Sequence, residues 1–195
     1  MNHREEILVI CGPMFAGKSN QLLFLLERLK YAKIPYIVFR PNIDRYKDSL
    51  GTRFSDRREP SISIDINNPK EIYKHIDLDN LKLPLTVVVD EAQFFENSFL
   101  DVVRDLNRKG VRFIIGGLDV DACNRPFGVM PQLLSLASKV IKLKAVCAFC
   151  KGDAWKTTLK KADPGMKDKS IKLDEEDFIP VCSACFYENK KKLEA

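Results

Sequence analysis

Three groups of residues have the types and spacing of chemistry. Gly12-Pro13-Met14-Phe15-Ala16-Gly17-Lys18-Ser19 fits the pattern G-x-x-x-x-G-K-S. Its glycines let the backbone curl so that successive N–H groups face one anion, and a helix behind it adds a positive N-terminal end. Lys18 has the reach for the β- and γ-phosphates of a bound nucleotide, and the Ser19 hydroxyl suits a Mg²⁺ ion. The second group is Asp90-Glu91, which ends the β-branched run Thr86-Val87-Val88-Val89. Two acids at the end of a buried strand are costly unless they meet a cation or do work. A division of roles follows. Asp90, on a strand expected beside the phosphate loop, helps to hold Mg²⁺, directly or through water. Glu91 takes a proton from the acceptor as general base. The third group is Cys147-x-x-Cys150 with Cys182-x-x-Cys185. Four thiolates suit a closed tetrahedral Zn²⁺ site, which makes the metal structural.

Each group has a plainer reading. The first is then a glycine turn before a helix, the second a solvated strand end, and the third a redox dithiol or an iron–sulfur cluster. The order strand, motif, helix weighs against the first. The phosphate motif upstream weighs against the second. A redox dithiol needs one cysteine pair rather than two. Cys11, inside an apolar run, reads as inert core.

The elements that must position these groups alternate along the chain. Residues 7–11 read as a buried strand, and 19–32 as a helix carrying Leu22, Leu23, Leu25, Leu26 and Leu29. Strands are expected at 34–40, 61–66, 85–90, 111–115 and 139–145, and helices at 99–109 and 131–137. Residues 42–60 and 118–129 read as loops. This order predicts an α/β fold, a P-loop NTPase parallel sheet with flanking helices over 1–145, followed by a small zinc-binding domain over 146–195. Hydrophobic residues at 45% and charged residues at 30% fit an ordinary globular protein. A net charge of +5 is too mild to argue for nucleic acid. The segment between the cysteine pairs mixes lysines with Asp174, Glu175, Glu176 and Asp177, so it offers no basic stripe for DNA. No apolar run approaches a membrane span, and residues 1–6 lack an apolar signal core, so a cytoplasmic enzyme without a membrane partner is expected.

Taken in order, the phosphate motif, Asp90-Glu91-Ala92-Gln93-Phe94-Phe95, Leu118-Asp119 with Pro126-Phe127-Gly128, and the two Cys-x-x-Cys units resemble the type II thymidine kinases, the zinc-bearing tetrameric class. The match covers nearly the whole chain. The resemblance implies transfer of the γ-phosphoryl group of ATP to the 5′-hydroxyl of a deoxynucleoside, a salvage step for DNA synthesis, in a homotetramer. Glu91 matches the family's catalytic base. Asp90 and Gln93 fall among its nucleotide-binding positions, and Arg45 resembles an arginine near the phosphates, in an Asp44-Arg45 shortened from the usual Asp-x-Arg. Met14, Phe94, Leu118 and Phe127 match residues that line the base pocket. The segment between the cysteine pairs matches the lasso whose main chain reads the pyrimidine edge.

The departures fall in the base pocket. Ala122 stands where the family usually has a phenylalanine packed on thymine, and Cys123 follows it. Phe178 replaces a lasso tyrosine, Leu173-Asp174 a Gly-Gly pair, and Ser183-Ala184 a spacer that usually carries arginine. Three readings follow: a thymidine kinase, a kinase of another (deoxy)nucleoside with a reshaped pocket, or a nucleotide-binding regulatory paralogue. Lys18, Ser19, Asp90 and Glu91 favour an enzyme, because a pure binder needs no base.

Overall fold

The computed structural model describes residues 6–43, 49–51, 58–160 and 177–194. Among them, five consecutive apolar residues form β1 (Ile7–Cys11), which is buried throughout. The glycine-rich loop then turns the chain into α1 (Lys18–Tyr31), which buries Leu22, Leu23, Leu26 and Leu29 along one stripe. Next come β2 (Tyr36–Pro41), β3 (Ser49–Gly51), β4 (Arg58–Pro60) and β5 (Ile62–Ile64), a 3₁₀ turn (Pro69–His75), and β6 (Thr86–Val89). A second 3₁₀ turn (Ala92–Phe94) precedes α2 (Ser98–Arg108), which ends at Gly110 with a positive φ of 89°. Then follow β7 (Arg112–Gly117), α3 (Met130–Leu136) and β8 (Lys139–Lys142).

The six longer-range strands form one sheet in the order β5-β2-β6-β7-β1-β8, with every pairing parallel. Side chains alternate across it. Val9, Val87, Val89, Phe113 and Ile115 pack with α2, α3 and the first 3₁₀ turn. Leu8, Ile10 and Val88 pack with the leucines of α1 on the other face. Burial on both faces explains why the strands read as unbroken apolar runs. Truncating a fully buried side chain such as Leu22 to alanine costs about 2–5 kcal/mol. All the strands run the same way, so their C-terminal ends share one edge, where open α/β sheets bind ligands.

A smaller module follows. β9 (Ala145–Val146) pairs antiparallel with β10 (Asp153–Ala154), and β11 (Lys156–Leu159) with β12 (Phe178–Val181). α4 (Ser183–Glu194) closes it. Among the described residues its core cluster is Ala145, Cys147, Ala154, Val181 and Phe186.

Three sequence expectations change. Part of the expected 42–60 loop is a ribbon, since β3 and β4 pair antiparallel and Leu50 is fully buried beneath α1. The last sheet strand ends at Lys142, and Ala145 belongs to the small module. The strand that carries Asp90 is not beside β1, because β7 lies between them.

Candidate active site

The phosphate loop leaves β1 through three left-handed residues, Gly12 (φ 136°), Phe15 (φ 63°) and Gly17 (φ 85°). A Cβ on Gly12 would lie 2.4 Å from the Leu143 carbonyl oxygen, so a side chain there would collide with backbone. Phe15 holds its unfavourable conformation while 40% exposed, and such strain, of order 1 kcal/mol or more, collects at ligand sites. α1 opens with no acidic side chain in its first turn and no side-chain cap, which leaves its positive end clear for an anion. Lys18 is buried at 7% exposure, and its Nζ donates to the carbonyls of Gly12 (3.1 Å) and Pro13 (2.8 Å). Burial pulls its pKa down, against the opposing charges of Glu91, Asp90 and Asp119.

Ser19 meets Asp90 although a strand separates them. Ser19 Oγ donates to Asp90 Oδ2 at 3.2 Å. The carboxylate crosses β7 over Gly116, where a Cβ would lie 3.0 Å from Asp90 Oδ1. Asp90 is 1% exposed. Burial and the neighbouring Glu91 charge push its pKa up to about 6, against the pull of Arg40 and Lys18. A buried acid held this way favours a cation.

Glu91 occupies the left-handed region at φ 57°, ψ 39°, a strained position for a residue with a side chain. Its N–H donates to Asp90 Oδ1 at 3.0 Å. Gln93 Nε2 donates to Glu91 Oε2 at 2.5 Å, while Gln93 Oε1 accepts the Leu118 N–H at 3.0 Å. Gln93 therefore braces the acid against the end of β7. Phe94 and Phe127 pack edge to face, with ring centroids 5.5 Å apart. Leu118 and Ala122 are half-buried, Cys123 is exposed, and Phe178 is buried at the start of β12 in the small module. Arg45 lies outside the described residues.

Sequence reasoning missed Thr157. Its Oγ1 accepts the Met14 N–H at 2.9 Å across 143 positions of chain. A threonine in a polar stretch gives no signal of that contact. Asp119, already part of the Leu118-Asp119 motif, is buried just beyond β7, and what the sequence hides is its partner, Lys142, at 2.7 Å across β1. A cavity of about 340 Å³ beneath α1, lined by Leu8, Leu25, Leu29, Ile34, Arg112 and Lys139, lies at the opposite edge of the sheet from all these groups.

The four module cysteines converge. Their sulfurs lie within 4.8 Å of one another, and Cys150 and Cys182 are 3.7 Å apart. Zn–S bonds of 2.3 Å in a tetrahedron give sulfur–sulfur edges of about 3.8 Å. Burial tends to raise the Cys147 thiol, yet backbone N–H groups of Cys150, Cys182 and Phe149 bring it down to about 6. Cys185, hydrogen-bonded to Cys182 and its neighbours, is pushed up to about 12. Sulfurs this close cannot all ionise without a cation between them, so the set fits a metal ion such as zinc.

A glycine-rich loop between a buried strand and a helix, with a serine and a buried aspartate meeting across a parallel sheet, defines a P-loop nucleotide-binding protein. The fold agrees. The genome packaging NTPase B204 from Sulfolobus turreted icosahedral virus 2 in complex with AMPPCP aligns with a TM-score of 0.51 at 19% identity, covering 72% of this chain and 76% of that one. Its complex with AMP aligns with a TM-score of 0.50 at 18% identity, over 83% and 78% of the two chains. The thymidine kinase family model matches residues 5–186. A thymidine kinase of Mycoplasma genitalium is 44% identical over 149 residues, covering 76% of this chain and 68% of that protein. The chain belongs to the thymidine kinase family, and it is a kinase.

Proposed function

We propose that the chain transfers the γ-phosphoryl group of ATP to the 5′-hydroxyl of thymidine, giving ADP and dTMP. The observation that carries this reading is the convergence of Lys18, Ser19 and Asp90 on one side of a strained Glu91 that Gln93 holds in place. The loop amides and Lys18 hold the phosphates. Glu91 accepts the proton of the 5′-hydroxyl as its oxygen bonds to the γ-phosphorus, and the bond from that phosphorus to the β–γ bridging oxygen breaks. Ser19 Oγ and Asp90 Oδ2 would hold Mg²⁺, directly or through water. Their 3.2 Å separation is close to the roughly 2.9 Å edge of an octahedron with magnesium–oxygen bonds of about 2.05 Å. Bound there, Mg²⁺ would neutralise charge on the phosphates. The four cysteines would hold a structural Zn²⁺. Met14, Phe94, Leu118, Ala122, Phe127 and Phe178 would line the base pocket, and Arg45 would approach the phosphates.

The test is ADP release with ATP and Mg²⁺ against a panel of deoxynucleosides and ribonucleosides. Turnover with thymidine supports the reading, and no release above the blank with any of them sinks it. A second reading, another (deoxy)nucleoside with a different or bulkier base as acceptor, is favoured by Ala122 alone. The panel separates the two, and Ala122→Phe should shift the KM ratio between thymidine and a bulkier 5-substituted pyrimidine if that position governs base choice. Among the described residues no helix is long and apolar enough to cross a membrane. We place the enzyme in the cytoplasm, as a homotetramer with no nucleic-acid partner, with the boundary between its two domains drawn just before Ala145 rather than after it. Sedimentation equilibrium tests the assembly.

A further inference from the structure

The first half of the phosphate loop is shaped from outside. Pro13 has no N–H to offer. The Met14 N–H is committed to Thr157 Oγ1 at 2.9 Å, so this donor points into the small module rather than into the phosphate cradle. Thr157 is 2% exposed, which removes water as a ready replacement acceptor. Two residues on, Ala16 packs against the module core of Ala145, Cys147, Ala154, Val181 and Phe186. Within the loop, the Ala16 N–H reaches the Pro13 carbonyl only at 3.4 Å. The stronger internal ties come from Lys18 Nζ to the carbonyls of Gly12 and Pro13. A loop with three left-handed residues and so weak an internal turn needs an external brace.

We propose that Thr157 is a positioning residue for phosphoryl transfer: by accepting the Met14 N–H it fixes the loop, so that the cysteine module helps to set the affinity for the ATP phosphates. The inference rests on the reading of Gly12 to Ser19 as the ATP site. The route is short. Thr157 on β11 is paired with Pro180 on β12, and β12 runs at Val181 into Cys182, a member of the sulfur cluster. From Met14 the loop continues to Lys18 and Ser19. The order of the cysteine cluster is thus conveyed to the phosphate cradle through one ribbon and one hydrogen bond.

The test is fluorescence titration with a mant-labelled ATP and Mg²⁺, with no nucleoside present, on the full chain, comparing wild type, Thr157→Val and Thr157→Ser. Valine keeps the shape and removes the acceptor, and serine keeps the acceptor. Leaving this part-buried N–H without its partner should weaken nucleotide binding by about tenfold, with KM for ATP rising by a similar factor and kcat changing by less than about threefold. Thr157→Ser should stay within about threefold of wild type. Equal binding by Thr157→Val and wild type overturns the inference. So does a loss confined to thymidine affinity, which would make Thr157 a pocket-lining residue only. If wild type itself fails to bind the nucleotide, the ATP-site reading fails instead. If Thr157→Val does not fold, amide exchange in nucleotide-free wild type decides. Slow exchange at Met14 supports the brace, and fast exchange overturns it.

Discussion

Gln93 holds Glu91 from one side and the backbone of Leu118 from the other, at 2.5 Å and 3.0 Å. Because Leu118 offers an N–H, the Gln93 carbonyl must face it, which leaves the amide nitrogen to donate to the carboxylate. Two glycines make the room. A Cβ on Gly117 would lie 2.7 Å from the side-chain Oε1 of Gln93, and a Cβ on Gly128 would lie 2.0 Å from its main-chain carbonyl oxygen. Gln93→Leu keeps the volume and removes both bonds. A lost hydrogen bond to a charged group costs about 1.5–3 kcal/mol, so kcat should fall about 10- to 100-fold while KM for ATP holds. Steady-state kinetics check this, and a changed KM for ATP with kcat intact would place Gln93 at the nucleotide instead.

Glu91→Gln should abolish most turnover while ATP still binds. The amide cannot accept the hydroxyl proton, yet the phosphate loop is untouched. Loss of a general base typically costs about 10²- to 10⁴-fold. Single-turnover rates beside nucleotide binding separate the two effects, and near wild-type kcat would remove Glu91 from the mechanism.

Much of this site was legible in the sequence because it is local. The phosphate loop needs glycines at fixed offsets, and the acids end a strand that reads as buried. Cysteine spacing carries its own chemistry. What the sequence hid are contacts across the fold. The periodicity of β6 and β7 says nothing of their order, so the strand between Ser19 and Asp90 went unseen, as did the role of Gly116 beneath that contact. Thr157 and Lys142 look like surface residues of a polar stretch and a strand end until the sheet order brings them beside the loop. The ribbon of β3 and β4 has the sequence of a loop because its few apolar residues, Leu50 among them, sit among charges.

The cysteine cluster should bind one Zn²⁺ per chain. Among the described residues the module's core cluster is small, Ala145, Cys147, Ala154, Val181 and Phe186, and it includes one of the four cysteines, so a metal is expected to contribute to its stability. Metal analysis should find a stoichiometric ion. Chelation should lower Tm and expose the four thiols to alkylation, while the sheet of the larger domain persists by circular dichroism. Finding no zinc, or finding these cysteines in disulfides, would sink the assignment.

Asp90 should trade stability for metal binding. Its pKa in the fold, about 6, lies above the ordinary 3.8. The folded state therefore binds the proton more tightly than the unfolded one, and this group's effect on stability worsens as pH rises from about 4 to about 6. At pH 7 the ionised acid is a burden that Mg²⁺ relieves. Asp90→Asn removes the charge: its single amide oxygen can accept the Glu91 N–H, and its NH₂ group donates to the Ser19 hydroxyl, which turns from donor to acceptor. It should stabilise the nucleotide-free protein by about 1–3 kcal/mol at pH 7 and lose the rise in Tm that Mg²⁺ and ATP give the wild type. In wild type that rise should shrink as pH falls through about 6. A variant less stable than wild type, or one still stabilised by Mg²⁺ and ATP, would contradict this.

The crossing of Asp90 over β7 makes Gly116 a test of the metal site. A Cβ there would approach Leu22 Cδ1 at 2.9 Å and Asp90 Oδ1 at 3.0 Å. Both are tips of side chains, so Gly116→Ala can be absorbed by a shift of a few tenths of an ångström, shared between the leucine and the carboxylate. Any part taken by Asp90 alters its 3.2 Å contact with Ser19. The main chain of Gly116 pairs with Ile10 inside the sheet and has no reason to move. Gly116→Ala should therefore raise the free Mg²⁺ needed for half-maximal activity several-fold, with Tm nearly unchanged. Gly116→Val adds two more carbons to the same space. Overpacking of that kind costs about 1–3 kcal/mol, and the displaced carboxylate should no longer reach Ser19, so Tm and Mg²⁺-dependent nucleotide binding should fall together. The two variants form a graded series, read by titrating free Mg²⁺ at fixed ATP. If Gly116→Ala lowers kcat while its Mg²⁺ dependence matches wild type, the glycine serves Leu22 and the core rather than the path of Asp90 to the metal.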